Sequence, residues 1–262
     1  MDLNRKIDFA IKLLRSIPQD GTIELSYSGG KDSDVILELA RMSGIPFEAI
    51  YKNTTIDPPG TIAHCKENGV KIVQPKKSFI QIVEEKSMPS RFSRFCCAEL
   101  KEYKIHDRAI QGIRRAESTA RAKRYKEPEY CRLYSKGEKV RIYLPILEWS
   151  LDDVAKFIAD RGIKCAPMYY DENGIFHPER RLGCIGCPMA TDNGKSEFKQ
   201  YPKLLKRIIK AQQVYLDNHP NSHAYALFNG NAYNAMFKRL FCKTISDYQS
   251  AITPPYLKKN FQ

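Results

Sequence analysis

The sequence contains no uninterrupted apolar run of about 18 residues, the length that a membrane-spanning helix needs. Its first residues, MDLNRKIDFAIKLLRSI, form an amphipathic pattern with helical spacing and lack the continuous apolar core of a secretory signal peptide. These absences predict a cytoplasmic protein with no membrane partner. The chain also lacks the pattern GxxxxGK[ST], which excludes the most familiar phosphate-binding loop.

A different glycine-containing loop connects the first predicted strand to the helix that follows it. An apolar, β-prone run from Ile23 to Tyr27 leads into glycines and polar residues, and Val35 to Ala40 then continue as a helix. Paired glycines allow a close backbone approach, and the free amides of a helix N-terminus favour an anion. We therefore predict a phosphate site formed by Ser28, Gly29, Gly30, Lys31, Asp32 and Ser33.

The pattern of strands and helices predicts the fold class. After the first helix, strands at 22–27, 46–51 and 70–74 alternate with helices at 33–43, 59–68 and 78–86, and further strands are predicted at 109–113 and 141–146. A helix is predicted at 151–161, a loop at 162–194 and mainly helix at 195–242. This alternation predicts an α/β fold with a doubly wound parallel sheet. We divide the chain into a nucleotide-binding domain, 1–194, and a helical C-terminal extension, 195–262.

Cysteines are clustered rather than scattered. Among the eight cysteines, Cys96 and Cys97 are adjacent, and Cys184 and Cys187 form a CxxC. In a cytosolic chain such clustering indicates metal or redox chemistry more than disulfides, and four thiolates suit zinc or an iron–sulfur cluster.

Charge is uneven along the chain. The overall net charge is +13, and segments 91–141 and 195–262 each carry +8. Basic segments of this kind attract polyanions, so nucleic acid is a candidate partner; solvated helix faces are the alternative.

Together, SGGKDS, the cysteine pair and the later CxxC resemble the phosphoadenosine phosphosulfate reductase family of the adenine nucleotide α-hydrolase superfamily. Further resemblance lies in NTTIDPPGT at 53–61, QGIRRAES at 111–118 and LPILEWSLDDVAKFI at 144–158. The resemblance implies an adenine nucleotide, ATP or a sulfonucleotide, at the loop. The cysteine pattern is similar to that of the [4Fe–4S] members, which implies such a cluster on the four clustered cysteines, with zinc as the alternative.

The same resemblance suggests roles for individual residues. Arg114 and Arg115 would face the reacting end of the nucleotide, and Lys31 and Asp32 would act in catalysis, Asp32 near a Mg²⁺-bound pyrophosphate. Asp57 is a candidate for orienting the nucleotide or Mg²⁺, or for capping the following helix.

One feature departs from the thiol-dependent reductases, which carry a nucleophilic cysteine in a Glu-Cys-Gly motif near the C-terminus. This sequence ends SAITPPYLKKNFQ, and Cys242 is its last cysteine. We therefore expect ATP cleavage between the α- and β-phosphates in support of sulfur transfer, with nucleic acid as a possible acceptor and a sulfur-donor or reductase protein as a possible partner. The alternatives are a sulfonucleotide reductase that releases sulfite, and a non-catalytic nucleotide- or nucleic-acid-binding module with a structural metal.

Overall fold

The computed structural model describes residues 2–134 and 137–252, and the chain folds as two units. The first unit contains the described residues of Met1–Pro75 and Cys97–Gly183; the second contains those of Lys76–Cys96 and Cys184–Gln262. The domain boundary predicted at residue 194 therefore differs from this division, in which segments 76–96 and 184–194 join the C-terminal helices. Residues 135–136 and 253–262, which belong to the two basic segments, lie outside the described residues.

The first unit is built on a six-stranded sheet in the order β3-β2-β1-β4-β6-β5. Its strands are β1 Ile23–Tyr27, β2 Glu48–Lys52, β3 Lys71–Val73, β4 Arg108–Gln111, β5 Glu129–Leu133 and β6 Lys139–Tyr143. All neighbouring pairs are parallel except β5 with β6. The predicted α/β class and its parallel sheet are confirmed, and strand β5 adds an antiparallel edge that the sequence analysis missed.

Helices connect the strands and continue into the second unit. They are α1 Leu3–Arg15, α2 Lys31–Ser43, α3 Thr61–Glu67, α4 Phe79–Lys86, α5 Phe95–Leu100, α6 Thr119–Arg124, α7 Leu151–Arg161, α8 Lys195–Gln200, α9 Pro202–Asn218, α10 His223–Phe228, α11 Ala232–Phe241 and α12 Ile245–Ile252. Most predicted helices are present, with ends moved by turn residues. Helix α3, for example, begins two residues late because Gly60 adopts a left-handed conformation with φ of 89°.

Helix α7 shows how a local sequence signal fixes an element. Ser150 caps it by accepting a hydrogen bond from the Asp153 amide at 3.1 Å, and the Asp153 carboxylate accepts one from the Ser150 amide at 2.7 Å. Partial burial opposes ionisation of Asp153, but hydrogen bonds from Lys6 and Ser150 outweigh it and lower the pKa of this carboxyl group. The salt bridge to Lys6, at 2.5 Å, also ties α1 to α7.

The core of the first unit lies between the sheet and helices α1, α2 and α7. Leu25, Ile36 and Trp149 are among its fully buried side chains, and the Trp149 ring meets Phe157 edge-on with centroids 5.3 Å apart. The second unit is helical. Its buried Gln212, on α9, accepts hydrogen bonds from the Met88 amide at 2.8 Å and the Ser87 hydroxyl at 3.0 Å, which anchors the end of α4.

No helix among the residues the structure describes is long and apolar enough to cross a membrane.

Candidate functional site

The predicted phosphate loop lies between β1 and α2, at the carboxyl end of a central strand. Gly29 has φ of +77°, and a Cβ there would lie 2.8 Å from Thr61 Cγ2, so both the backbone conformation and the space require glycine. Ser33 Oγ donates to the Gly30 carbonyl at 2.6 Å, and Ser28 Oγ lies 3.3 Å from Ser33 Oγ. The loop is therefore a compact turn whose two hydroxyls lie together.

Lys31 and Asp32 form the charged part of the loop. Lys31 is 4% exposed, and its Nζ lies 3.3 Å from Asp32 Oδ2. The other oxygen, Asp32 Oδ1, accepts a hydrogen bond of 2.6 Å from Arg114 Nε. The Asp32 carboxylate thus bridges two cations. Gly112 packs against the Asp32 backbone, where a Cβ would lie 2.9 Å from the Asp32 carbonyl oxygen.

A cavity of about 250 Å³ opens beside this loop. Its lining includes Ser28, Gly30, Lys31, Asp32, Ser33, Glu117, Arg121, Tyr169, Arg181 and Leu182. The loop residues of this set were predicted from the sequence, whereas Glu117, Arg121 and Tyr169 were not. Together, the hydroxyls, one lysine and two arginines line the cavity with groups that can donate hydrogen bonds to an anion.

Arg121 and Arg181 share one carboxylate. Glu117 accepts from Arg121, and its Oε1 lies 3.8 Å from Arg181 Nη2. Burial, reinforced by the nearby charge of Arg181, lowers the pKa of the Arg121 guanidinium below its usual value. Two like charges therefore lie close together with one acidic partner, an arrangement that an incoming anion would stabilise.

Two arginines predicted at the reacting group occupy other positions. Arg114 is 3% exposed, donates to Asp32 and is not among the residues that line the cavity. Arg115 donates from Nε to the Tyr125 carbonyl at 2.7 Å and pairs with Glu148. The structure therefore places Arg115 against the loop that contains Tyr125, and Arg121 and Arg181, not Arg115, are among the residues that line the cavity.

Asp57 lies at the turn after β2. Its Oδ2 accepts from the Tyr51 hydroxyl and from the Thr54 amide at 3.3 Å. Its Oδ1 is buried and has no hydrogen-bond partner among the described residues, with Lys101 Nζ at 3.9 Å. An orphaned carboxylate oxygen of this kind is suited to a cation or a ligand hydroxyl, but Asp57 is not among the residues that line the cavity.

The CxxC loop lies in the second unit and is held by several independent contacts. Gly186, between Cys184 and Cys187, has φ of +70°, and a Cβ there would overlap the Phe198 ring. The Gly186 amide donates to Glu197 Oε2 at 2.6 Å, and its carbonyl accepts from Arg239. These contacts fix the conformation of the loop.

Arg239 is the residue near the cysteines that sequence reasoning missed. Its Nε is buried without a hydrogen-bond partner among the described residues. Burial lowers the pKa of the Arg239 guanidinium. The Cys187 and Cys96 side chains raise this pKa through their charge, so both cysteines are close enough to interact with the cation. An orphaned donor beside two cysteines is an arrangement that fits an anionic metal–thiolate centre.

Within residues 2–134 and 137–252, however, the structure shows no group of three or more His, Cys, Asp or Glu side chains assembled to hold a metal. Cys97 follows Cys96 in α5, and the side chains of Cys96, Cys97, Cys184 and Cys187 are all half-buried. Cys65 and Cys165 are buried in the first unit, and burial raises the pKa of Cys65 to about 12, as expected for an unreactive thiol. Cys242 is 8% exposed, at the end of α11.

A sequence model of the phosphoadenosine phosphosulfate reductase domain matches residues 22–190. An uncharacterized protein of Methanocaldococcus jannaschii is 30% identical over 199 residues, which are 71% of this chain and 46% of the relative. Subunit 2 of the sulfate adenylyltransferase of Mycolicibacterium vanbaalenii is 30% identical over 179 residues, 56% of this chain and 57% of the relative. The chain thus spans roughly half the length of these curated relatives.

Among solved structures, the phosphoadenylyl-sulfate reductase of Candida auris, in a phosphate complex, aligns with 70% of this chain and 93% of its own at 14% identity, with a TM-score of 0.49. The FMN adenylyltransferase of Candida glabrata, with FAD and pyrophosphate, aligns with 70% of this chain and 63% of its own at 16% identity, with a TM-score of 0.46.

Proposed function

The chain belongs to the phosphoadenosine phosphosulfate reductase family, and we propose that it is an enzyme that cleaves ATP between the α- and β-phosphates to support sulfur transfer. The observation that carries this proposal is the cavity at the SGGKDS loop, in which Lys31, Arg121 and Arg181 surround a space next to the N-terminus of α2. The proposed sulfur acceptor is nucleic acid, for which the basic segments are the support.

The size of the cavity suits the phosphates of the nucleotide but not the whole nucleotide. A volume of about 250 Å³ is below the ~300–1,000 Å³ typical of pockets that enclose a whole drug-sized ligand. The phosphates would fill it and the adenine would extend beyond it. Lys31, the serine hydroxyls and the backbone at Gly30 would hold the phosphates, and Mg²⁺ would arrive bound to ATP beside Asp32, the carboxylate of the loop.

The proposed chemistry places negative charge on the oxygen atom of the leaving pyrophosphate. An acceptor oxygen attacks the α-phosphorus, the bond from that phosphorus to the bridging oxygen breaks, and pyrophosphate leaves with the electron pair. The negative charge that accumulates on the leaving oxygen needs preorganised donors. Lys31, Arg121 and Arg181 would supply them, while Arg114 would position Asp32. Sulfur from a donor then displaces AMP from the adenylated acceptor. The sulfate adenylyltransferase relative supports this choice, because its name describes adenylyl transfer.

We further propose that Cys96, Cys97, Cys184 and Cys187 hold a [4Fe–4S] cluster, with zinc as the alternative. The contacts that fix Gly186 and the orphaned Arg239 Nε support it. When bound, the cluster would supply a redox-active centre; the protein's own contribution is to fix the loop and to place a cation beside the thiolates.

The second candidate is a reductase that releases sulfite from a sulfonucleotide, and the family match favours it. It requires a thiol nucleophile, and Cys242, at 8% exposure, would have to become accessible first.

One anaerobic assay separates these functions. Purified protein is incubated with ATP and Mg²⁺, and separately with adenylyl sulfate or phosphoadenylyl sulfate plus a thiol donor. We expect pyrophosphate and AMP from ATP, because water supplies the attacking oxygen when no other acceptor is present. Sulfite that disappears in Cys242→Ser would overturn the ATP proposal, and bound nucleotide without either product would indicate a non-catalytic binding module. Iron and acid-labile sulfide should both be present; zinc alone would refute the cluster.

A further inference from the structure

Helix α11 carries aromatic side chains on its outer face. Ala235 and Met236 are buried in the second unit, whereas Tyr233, Phe237 and Phe241 are 68%, 41% and 58% exposed. Residues four apart share one face of a helix, so the three rings form a single stripe, which we call the aromatic face. Over eight residues at ~1.5 Å each, this stripe is about 12 Å long.

The geometry of the rings makes this face unusual for a solvated helix. Phe237 and Phe241 lie with centroids 5.5 Å apart and ring planes inclined by 26°, so their faces are nearly parallel. Lys195 Nζ lies 4.4 Å from the centroid of Phe241, a cation–π contact that keeps a positive charge beside the ring. Surface helices usually present polar residues on this side, and packing within the described residues does not account for three exposed aromatics.

The charge around the face favours a polyanion. From Lys195 to Ile252 the sequence has nine lysines and arginines against three acidic residues. The acidic residues are engaged elsewhere: Glu197 accepts from the Gly186 amide, Asp217 from Gln213, and Asp247 from the Thr244 amide. Lys238 and Lys243 flank the last ring in sequence, so positive charge and exposed aromatics occur together.

We propose that the aromatic face binds single-stranded nucleic acid, with bases stacked on Tyr233, Phe237 and Phe241 and phosphates near Lys195. Exposed bases stack on aromatic rings irrespective of sequence, and basic residues neutralise the backbone. At ~3.4 Å per stacked base the stripe accommodates about three nucleotides. The inference rests on the nucleic-acid acceptor proposed above and gives that acceptor a location. A partner protein docking on an apolar helix is the competing outcome.

The test is fluorescence anisotropy of the full chain with labelled 20-nucleotide oligothymidylate, across a salt series. We expect the double variant F237L/F241L, which keeps apolar side chains but removes the rings, to weaken binding at least fivefold. The control Val214→Ala changes a residue that is 41% exposed on α9 and should leave binding unchanged. Lys195→Gln should reduce the slope of log K for binding against log salt concentration by about 0.7, because one fewer phosphate of the single strand is neutralised.

Each other result overturns the inference. No binding to oligothymidylate at low salt, or leucine variants that bind as the wild type does, excludes stacking on this face. A change of elution volume in gel filtration caused by F237L/F241L, without loss of oligothymidylate binding, assigns the face to contacts between copies of the chain. Pyrophosphate release from ATP is measured separately without nucleic acid, so failure of the proposed ATP cleavage is distinguishable from failure of the aromatic face.

Discussion

Replacing Gly29 by alanine should damage both the stability of the first unit and its affinity for ATP. A left-handed conformation costs an ordinary L-residue about 1–2 kcal/mol, and Gly29 has φ of +77°. The new Cβ would also lie 2.8 Å from Thr61 Cγ2, and overpacking of this kind adds about 1–3 kcal/mol. The expected loss is therefore about 2–5 kcal/mol.

Two further variants separate these contributions. Gly44 ends α2 with φ of +73°, and a Cβ there meets no atom within 4 Å, so Gly44→Ala carries the backbone cost alone. Thr61→Ser removes Cγ2 and keeps the hydroxyl that donates to the Pro58 carbonyl at 2.8 Å. The double variant G29A/T61S should therefore recover the difference between Gly29→Ala and Gly44→Ala.

Urea unfolding gives the free energies, and calorimetric titration gives the Kd for ATP. We expect Gly29→Ala to raise this Kd at least tenfold, the equivalent of about 1.4 kcal/mol, because the loop must shift to accommodate the methyl group. Gly44→Ala, at the other end of α2, should leave the Kd unchanged. If Gly29→Ala is no more destabilising than Gly44→Ala, or if Thr61→Ser restores nothing, the contact with Thr61 does not constrain the loop and the reasoning fails.

Three other variants test the remaining parts of the structure. Arg121→Gln should raise the Kd for ATP by tenfold or more, since a charge-assisted hydrogen bond contributes about 1.5–3 kcal/mol, whereas Arg115→Gln should leave it unchanged; equal effects would contradict the assignment of Arg115 to its loop. Arg239→Met should lower the affinity for the cluster about 10- to 100-fold, read as iron and sulfide per chain under mild chelation; full retention would remove its role. The lowered pKa of Asp153 means that its contribution to stability is full above its ordinary value near 3.8 and is lost as the pH falls through the folded-state pKa. Asp153→Asn should therefore reduce the fall in Tm between pH 6 and pH 3. The control Asp152→Asn, which changes the exposed neighbouring carboxylate, should leave that fall unchanged.

Local sequence signals predicted much of the fold. The SGGKDS loop, the Ser150 cap and the alternation of strands and helices each depend on residues that are close together in the chain. In the structure the loop joins β1 to α2, and α7 begins directly after Ser150. Strand β5 escaped prediction because it is an edge strand whose residues are exposed or only half-buried, so no clear apolar alternation marks it.

The site itself was predictable only where its residues are neighbours in sequence. Arg181 reaches the cavity from a loop about 150 positions after Lys31, and Arg121 reaches it because Glu117, four residues earlier on the same turn, holds its guanidinium. Arg115 looked equivalent to Arg114 in sequence, yet successive side chains point in different directions and only Arg114 contacts Asp32. Arg239 lies more than 50 positions from the CxxC, beyond any local signal.

The bridge made by Asp32 has a consequence for turnover. The Asp32 carboxylate already pairs with Lys31, so a phosphate that enters the cavity must share the Lys31 ammonium group with that carboxylate. Such competition weakens the binding of any single phosphate group, both in the proposed substrate ATP and in the proposed product pyrophosphate. A loop without this carboxylate would bind anions more tightly and release them more slowly. Asp32 therefore favours release of bound phosphate groups over their retention, which the proposed ATP cleavage requires because its product, pyrophosphate, is strongly charged.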